Sequence, residues 1–124
     1  MAWKVLIVDD ALFMRNMLRE IFDRQDDFEV VGEAADGIEA IERYQELKPD
    51  LVTMDIVMPR RSGIEALQEI TTFDPGARVV MCSALGQESL IVEAVSAGAR
   101  DFIVKPFQEN RVLEVARRVA GSDD

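Results

Sequence analysis

The sequence predicts an α/β domain built on a parallel sheet covered on both faces, and three observations predict it. Val5–Val8, Leu51–Met54, Val79–Cys82 and Phe102–Val104 are short apolar runs rich in β-branched residues. They lack the alternation of a half-exposed strand and are too short for buried helices. Segments of helical periodicity separate them. Each run then stops at polar chemistry, namely Asp9-Asp10, Asp55, Ser83 and Lys105. In an open α/β sheet the ligand crevice lies beyond the carboxyl ends of the strands, where strand order reverses. Three carboxylates, a hydroxyl and an ammonium are therefore expected to converge there.

Taken in order, the elements alternate strand and helix. After the first strand, Met14, Met17, Leu18, Ile21 and Phe22 form the apolar face of a first helix, and Phe28–Val31 follows as a strand. Asp36 and Glu39 fit a capping arrangement that opens a second helix with Ile38 and Ile41 inward, ended by Lys48-Pro49. Ser62 and Glu65 repeat the arrangement before Ile64, Leu67 and Ile70, and Asp74-Pro75-Gly76 closes that helix. A fourth helix covers 87–97 and stops at Gly98. The fifth buries Val112, Val115, Ala116 and Val119 and ends in Arg117 and Arg118, cations suited to a helix carboxyl terminus. Five βα units result, with no internal linker or repeat.

A chain of 124 residues suits one domain, 1–124, with one core. Its 14 basic and 24 acidic residues give a formal charge of −10, which opposes direct binding to nucleic acid or an anionic membrane. Cys82, the only cysteine, lies in an apolar run and reads as a buried thiol in a reducing, cytoplasmic setting. Too few apolar residues precede Asp9-Asp10 for a signal peptide, and no run approaches the length of a membrane span.

An acidic pair after a strand reads equally well as a helix cap. Asp55 shifts that balance. Carboxylates sharing a crevice repel by about 4 kcal/mol per pair at about 4 Å separation and an effective dielectric near 20, and Lys105 alone cannot neutralise them. The remaining charge asks for a divalent cation. All-oxygen ligands in a chain without histidine select a hard ion such as Mg²⁺ over zinc. Mg²⁺ is commonly held by one or two carboxylates together with a phosphate, which points to phosphoryl transfer. Asp55 is then the candidate nucleophile, with Lys105 and Ser83 on phosphoryl oxygens. A capping Ser83 and a surface Lys105 stay open as the bland alternatives when each is taken singly.

The blocks Val-Leu-Ile-Val-Asp9-Asp10, Leu-Val-Thr-Met-Asp55-Ile-Val-Met-Pro59, Ser62-Gly63, Met-Cys-Ser83-Ala84 and Asp-Phe102-Ile-Val-Lys105-Pro106-Phe107 resemble the receiver domain of two-component response regulators. Within that family the resemblance is to its single-domain chemotaxis members, and it covers essentially the whole chain. It implies a flavodoxin-like sheet in the order 2-1-3-4-5. It also implies phosphorylation of Asp55 from a phosphohistidine on a sensor histidine kinase. Asp10, Asp55 and the Val57 backbone carbonyl would bind Mg²⁺, with Asp9 supporting the ion through water. The Lys105-Pro106 bond would be cis. Such a protein is a switch rather than an enzyme, although it promotes its own phosphotransfer and a slow autodephosphorylation. Ser83 and Phe102 take the switch positions, with Phe102 lacking the hydroxyl of the tyrosine found in many relatives; a plain core aromatic is the other reading.

Val57 and Leu85 flank the approach of hydrolytic water in the family arrangement. Both are apolar, so a slow loss of the phosphoryl group and dependence on a separate phosphatase are expected. Arg60-Arg61 departs from the acidic or neutral residues common in relatives and reads either as a kinase-docking feature or as solvated bystanders. The fourth helix carries more apolar residues, Leu90, Ile91, Val92, Ala94, Val95 and Ala97, than one buried face requires. That excess suits a partner surface, by resemblance the flagellar motor switch, or else a scattered surface valine. The protein is expected to be monomeric.

Three other classes compare less well. A dehalogenase-type phosphatase expects an aspartate two residues after the nucleophile, where Val57 stands. A flavodoxin-type cofactor module needs a hydroxyl- and glycine-rich phosphate loop, and Asp9-Asp10-Ala11 would repel the phosphate. A receiver from a larger methylesterase or DNA-binding regulator stays open, although the acidic tail Gly121-Ser122-Asp123-Asp124 suits a stand-alone protein.

Overall fold

Each strand is followed by a helical crossover, so successive strands return in the same direction and every strand pairing is parallel. The computed structural model describes residues 2–122; Met1 and the tail residues Asp123 and Asp124 lie outside the described residues. In chain order the elements are β1 (Trp3–Val8), α1 (Leu12–Asp23), β2 (Phe28–Ala34), α2 (Gly37–Leu47) and β3 (Leu51–Asp55). They continue with α3 (Gly63–Phe73), β4 (Val79–Ser83), α4 (Glu88–Ser96), β5 (Asp101–Val104) and α5 (Glu109–Ala120). The sheet order is β2-β1-β3-β4-β5, the flavodoxin-like order that the resemblance implied. It reverses direction between β1 and β3, which places the crevice at Val8-Asp9 and Asp55.

The pleat sorts the apolar runs onto two cores. Leu6, Val8, Val52, Met54, Val79 and Met81 face α2, α3 and α4, where they meet Ala40, Ile64, Leu67, Ile70 and Ala94. Val5, Ile7, Leu51, Val80, Cys82 and Ile103 face α1 and α5, against Leu18, Phe22, Val112, Val115 and Ala116. Fully burying one such aliphatic side chain contributes about 1.5–3 kcal/mol, so burial of both faces of the central strands dominates cohesion. β3 and β4 are buried at every residue. The edges differ from the doubly covered strands expected. In β5, which no further strand flanks among the described residues, Phe102 is half-buried and Val104 exposed. The other edge strand, β2, runs on to Ala34 and is fully buried only at Phe28 and Ala34.

Local chemistry explains the helix ends. Asp36 Oδ1 accepts from the Glu39 N–H at 2.9 Å, while Glu39 Oε1 accepts from the Ala35 N–H, one residue before the cap. Ser62 and Glu65 form both halves of a capping box at α3. α2 departs from expectation on its inward face. Ile38 and Ile41 are only half-buried, and Gly37, Ala40 and Tyr44 are the buried residues. The helix covers the edge strand β2 and leans on α3, so Gly37, Ala40 and Tyr44 take the buried positions, while Ile41 packs against the core only in part. In α1, Met14 and Met17 are likewise half-buried beneath the fully buried Leu18, Ile21 and Phe22. Arg117 and Arg118 in the last turn of α5 are engaged with Asp27 and Asp101 respectively.

One close approach sets the site's floor. Gly63 opens α3 and donates its N–H to the Ile56 carbonyl at 2.8 Å, closing the β3–α3 loop on itself. A β-carbon at Gly63 would lie 1.9 Å from the Asp55 carbonyl oxygen, a backbone atom that cannot yield without moving β3. Gly63→Ala is therefore expected to lower folding stability by about 1–3 kcal/mol or more, measured by urea denaturation. An unchanged midpoint would show that the loop relaxes freely.

Candidate functional site

Asp9 follows the last residue of β1, Asp55 ends β3, Ser83 ends β4 and Lys105 follows β5. The sheet brings all four strand ends to one edge. One carboxylate oxygen from each of Asp9, Asp10 and Asp55 lies within 4.8 Å of the others. Lys105 Nζ reaches into this group, 3.0 Å from Asp9 Oδ2 and 3.3 Å from Asp55 Oδ1. A single ammonium balances only part of three carboxylates at such separations.

The three aspartates stand in different surroundings. Asp9 is 1% exposed and held on every side. Its Oδ1 accepts from the Ala11 N–H at 2.9 Å, its backbone N–H donates to the Ala34 carbonyl, and its own carbonyl accepts from Arg15 Nη1 at 2.7 Å. Asp10 is exposed. Asp55 is buried, and burial pushes its carboxyl up to about 6, with the negative Asp9 adding to the rise and Lys105 opposing it. For Lys105, burial favours the neutral amine, but the hydrogen bond and charge of Asp9 with the charge of Asp55 outweigh it and raise its pKa. Cys82, beside these groups on β4, is a buried free thiol whose pKa burial pushes upward.

Ser83 is wholly buried, and its Oγ is without a hydrogen-bond partner. It shares a cavity of about 300 Å³ with Phe102, Leu85, Ile91 and Val92. Its carbonyl accepts from the Lys105 N–H at 2.7 Å, which ties the β4 and β5 ends together. The Lys105-Pro106 peptide is cis. Val57 and Leu85, on the loops after β3 and β4, are 55% and 81% exposed. The apolar excess of α4 divides in the fold. Leu90 and Ile91 pack against the core, whereas Val92 and Val95 stand 67% and 52% exposed.

A cation fits this donor set. The cluster is all oxygen and carries uncompensated negative charge, a donor set that could hold a hard divalent ion. Two supports were not legible in the sequence. Arg15 is fixed by Glu33 at 2.9 Å, which Arg19 also binds, and so braces the Asp9 carbonyl. Arg60 and Arg61 stay partly exposed, yet each has an acidic partner. Arg60 pairs with Asp36 at 2.7 Å and Arg61 with Glu69 at 2.6 Å. Pairings of this kind join residues far apart in the chain, and no local spacing announces them.

The raised pKa of Asp55 has a measurable sign. Its ordinary value is 3.8, so between about pH 4 and 6 the folded chain holds a proton that the unfolded chain releases. The resulting contribution to stability is present below pH 4 and lost as pH rises through 6. Asp55→Asn is expected to remove this slope and to stabilise the metal-free protein at pH 7 by about 1–3 kcal/mol. Urea denaturation in chelator at pH 4, 5, 6 and 7 tests it, and parallel curves for the two proteins would refute it.

Residues 5–117 match the family described as the response regulator receiver domain. The chain is 55% identical over 120 residues to a chemotaxis protein CheY of Thermotoga maritima, covering 97% of this chain and 99% of that one. The response regulator domain of Thermotoga maritima CheB superposes with a TM-score of 0.91 at 44% identity, over 100% of both chains. A chain of the CheX–CheY–BeF3–Mg²⁺ complex from Borrelia burgdorferi gives 0.89 at 43% identity, over 94% of this chain and 88% of that one. The acidic cluster at the β1/β3 reversal and the lysine after β5 thus sit in a chain that belongs to the response regulator receiver family and is CheY-like within it.

Proposed function

We propose that this chain is the phosphoacceptor switch of a histidine-to-aspartate phosphorelay, with Asp55 as the acceptor. An Asp55 carboxylate oxygen attacks the phosphorus of a phosphohistidine on a sensor histidine kinase. A P–O bond forms, the N–P bond breaks, and its electron pair returns to the imidazole nitrogen, which takes up a proton. The observation that carries this reading is the placement of Lys105 Nζ between Asp9 Oδ2 and Asp55 Oδ1 within a three-carboxylate cluster. From there the ammonium can follow charge developing on a phosphoryl oxygen. Ser83, with its unpartnered hydroxyl, is the second donor.

Asp10, Asp55 and the Val57 carbonyl are the groups that would hold Mg²⁺, with Asp9 acting through water. When bound, the ion would neutralise carboxylate charge and polarise a phosphoryl oxygen. The division among the aspartates is supported by their surroundings, since both Asp9 oxygens are engaged by Ala11 and Lys105 while Asp10 is exposed. The metal seen with the Borrelia burgdorferi complex supports the choice of ion.

Output follows from Ser83 and Phe102. Turning the Ser83 hydroxyl toward the phosphoryl group frees space on its other side, and the half-buried Phe102 ring lines the same cavity. With no ring hydroxyl, Phe102 acts by packing alone. The readout is chemotactic, on the flagellar motor switch, as the names of the relatives suggest. A separate phosphatase resets the protein, because Val57 and Leu85 offer no polar group to orient water. The switch works as a monomer in the cytoplasm; among the described residues no helix is long and apolar enough to cross a membrane. A second reading, a receiver serving a larger methylesterase-type regulator, is favoured by the likeness to the CheB domain.

Intact mass after incubation with acetyl phosphate tests the chemistry. A gain of one phosphoryl group that needs Mg²⁺ and is absent from Asp55→Asn is expected, and no gain under any condition would leave only a constitutive binding module. Val57→Asn with Leu85→Glu is expected to accelerate loss of the group by about tenfold or more, within the range that a positioned acid or base supplies. An unchanged rate of decay, followed by mass, would sink the lifetime argument.

A further inference from the structure

The β3–α3 loop carries Val57 and is anchored at a point that the phosphoacceptor chemistry does not use. Arg60, three residues beyond Val57, holds a left-handed backbone with φ of 64°. A residue with a β-carbon stays there only where its surroundings hold it. Two contacts hold it: the Arg61 N–H closes a tight turn on the Pro59 carbonyl at 2.7 Å, and Arg60 Nε and Nη2 lie 2.8 and 2.7 Å from Oδ2 of Asp36, the residue capping α2. The other oxygen, Oδ1, caps the helix through the Glu39 N–H. Next to this pair, the Gly37 N–H donates to the Arg61 carbonyl at 3.0 Å, and a β-carbon on Gly37 would come within 2.3 Å of that oxygen. Two residues before Asp36, the Ala34 carbonyl accepts from the Asp9 N–H at 3.1 Å.

These contacts run in a line from the Asp9 backbone, through the end of β2 and the α2 cap, to the loop that follows Asp55. We infer that the Asp36–Arg60 pair is a positioning clasp for the metal site, setting where the β3–α3 loop presents the Val57 carbonyl. Arg60 touches neither metal nor phosphoryl group. It acts by removing the freedom of a ligand-bearing loop, so that the cost of ordering it is met in folding and not at the moment of binding. The inference rests on the metal-binding reading above.

Charge alone makes the opposite prediction. Removing a guanidinium near an acidic site should draw a cation in more tightly, whereas losing the clasp should weaken binding. Arg60→Ala keeps a β-carbon at the left-handed position, so only the side-chain contacts change. The experiment is titration calorimetry of the full chain with MgCl2 alone. Arg60→Ala is expected to weaken Mg²⁺ binding by about three- to tenfold. The metal-free melting temperature should stay nearly unchanged, because the Arg60 side chain is 55% exposed and such pairs add little stability. Asp36→Asn, which keeps a capping oxygen, should weaken binding similarly. The double variant should be no weaker than Arg60→Ala, and Arg60→Lys should recover most of the loss. Unchanged or tighter binding by Arg60→Ala overturns the clasp. Asp10→Asn separates the two ideas. If it binds Mg²⁺ as the unmodified chain does, the reading of the metal site fails; if it loses binding while Arg60→Ala does not, only the clasp fails.

Discussion

The contact on which the site depends is the Lys105 ammonium set against Asp9 and Asp55 at 3.0 and 3.3 Å. Buried carboxylates this close repel, and desolvation makes each ionised form costlier still. Lys105 offsets part of that cost, and the rest stays stored as the raised pKa of Asp55. The site therefore has a standing demand for positive charge. A group that brings cationic charge to the cluster relieves the same strain, which links cation affinity and stability in one term.

The scaffold holds those charges together through interactions unrelated to charge. Two apolar cores, one on each face of the central strands, fix the strand ends relative to one another. The pressing of Gly63 against the Asp55 carbonyl then fixes the loop that leaves β3. Such cores are close-packed and resist gradual deformation, but packing is incomplete at a place beside Ser83. That place is the cavity bordered by Ser83, Ile91, Val92 and Phe102 at the open edge of β5. The edge strand that departs from the buried pattern is thus the one that borders this cavity.

Much of the fold was legible locally. β-Branched runs ending in polar residues marked the strands, and Ser62 with Glu65 marked the start of α3, where the capping box forms in full. Asp36 was recognisable as a cap, but its second bond to Arg60 was not. Local periodicity was only partly right about α2. Ile41 packs against the core as its spacing suggests, but it and Ile38 are only half-buried, and the position of α2 over an edge strand gives the fully buried role to Gly37, Ala40 and Tyr44. The Arg60-Arg61 pair shows the same limit, since whether a cation is solvated or paired depends on which loop faces it.

The sequence by itself determined the alternation of strand and helix, the residues at the strand ends and the oxygen-only character of the donor set. These follow from neighbours in the chain and from residue chemistry. The tertiary structure alone decided that Asp9 is clamped while Asp10 is exposed, that Ser83 keeps an unpartnered hydroxyl, and that Arg15 and Arg60 brace the acidic loops. Those outcomes depend on how separate segments pack together, as when Glu33 fixes Arg15 and Asp36 pairs with Arg60. Their energies are set by distance and burial in three dimensions, which no pattern along the chain encodes.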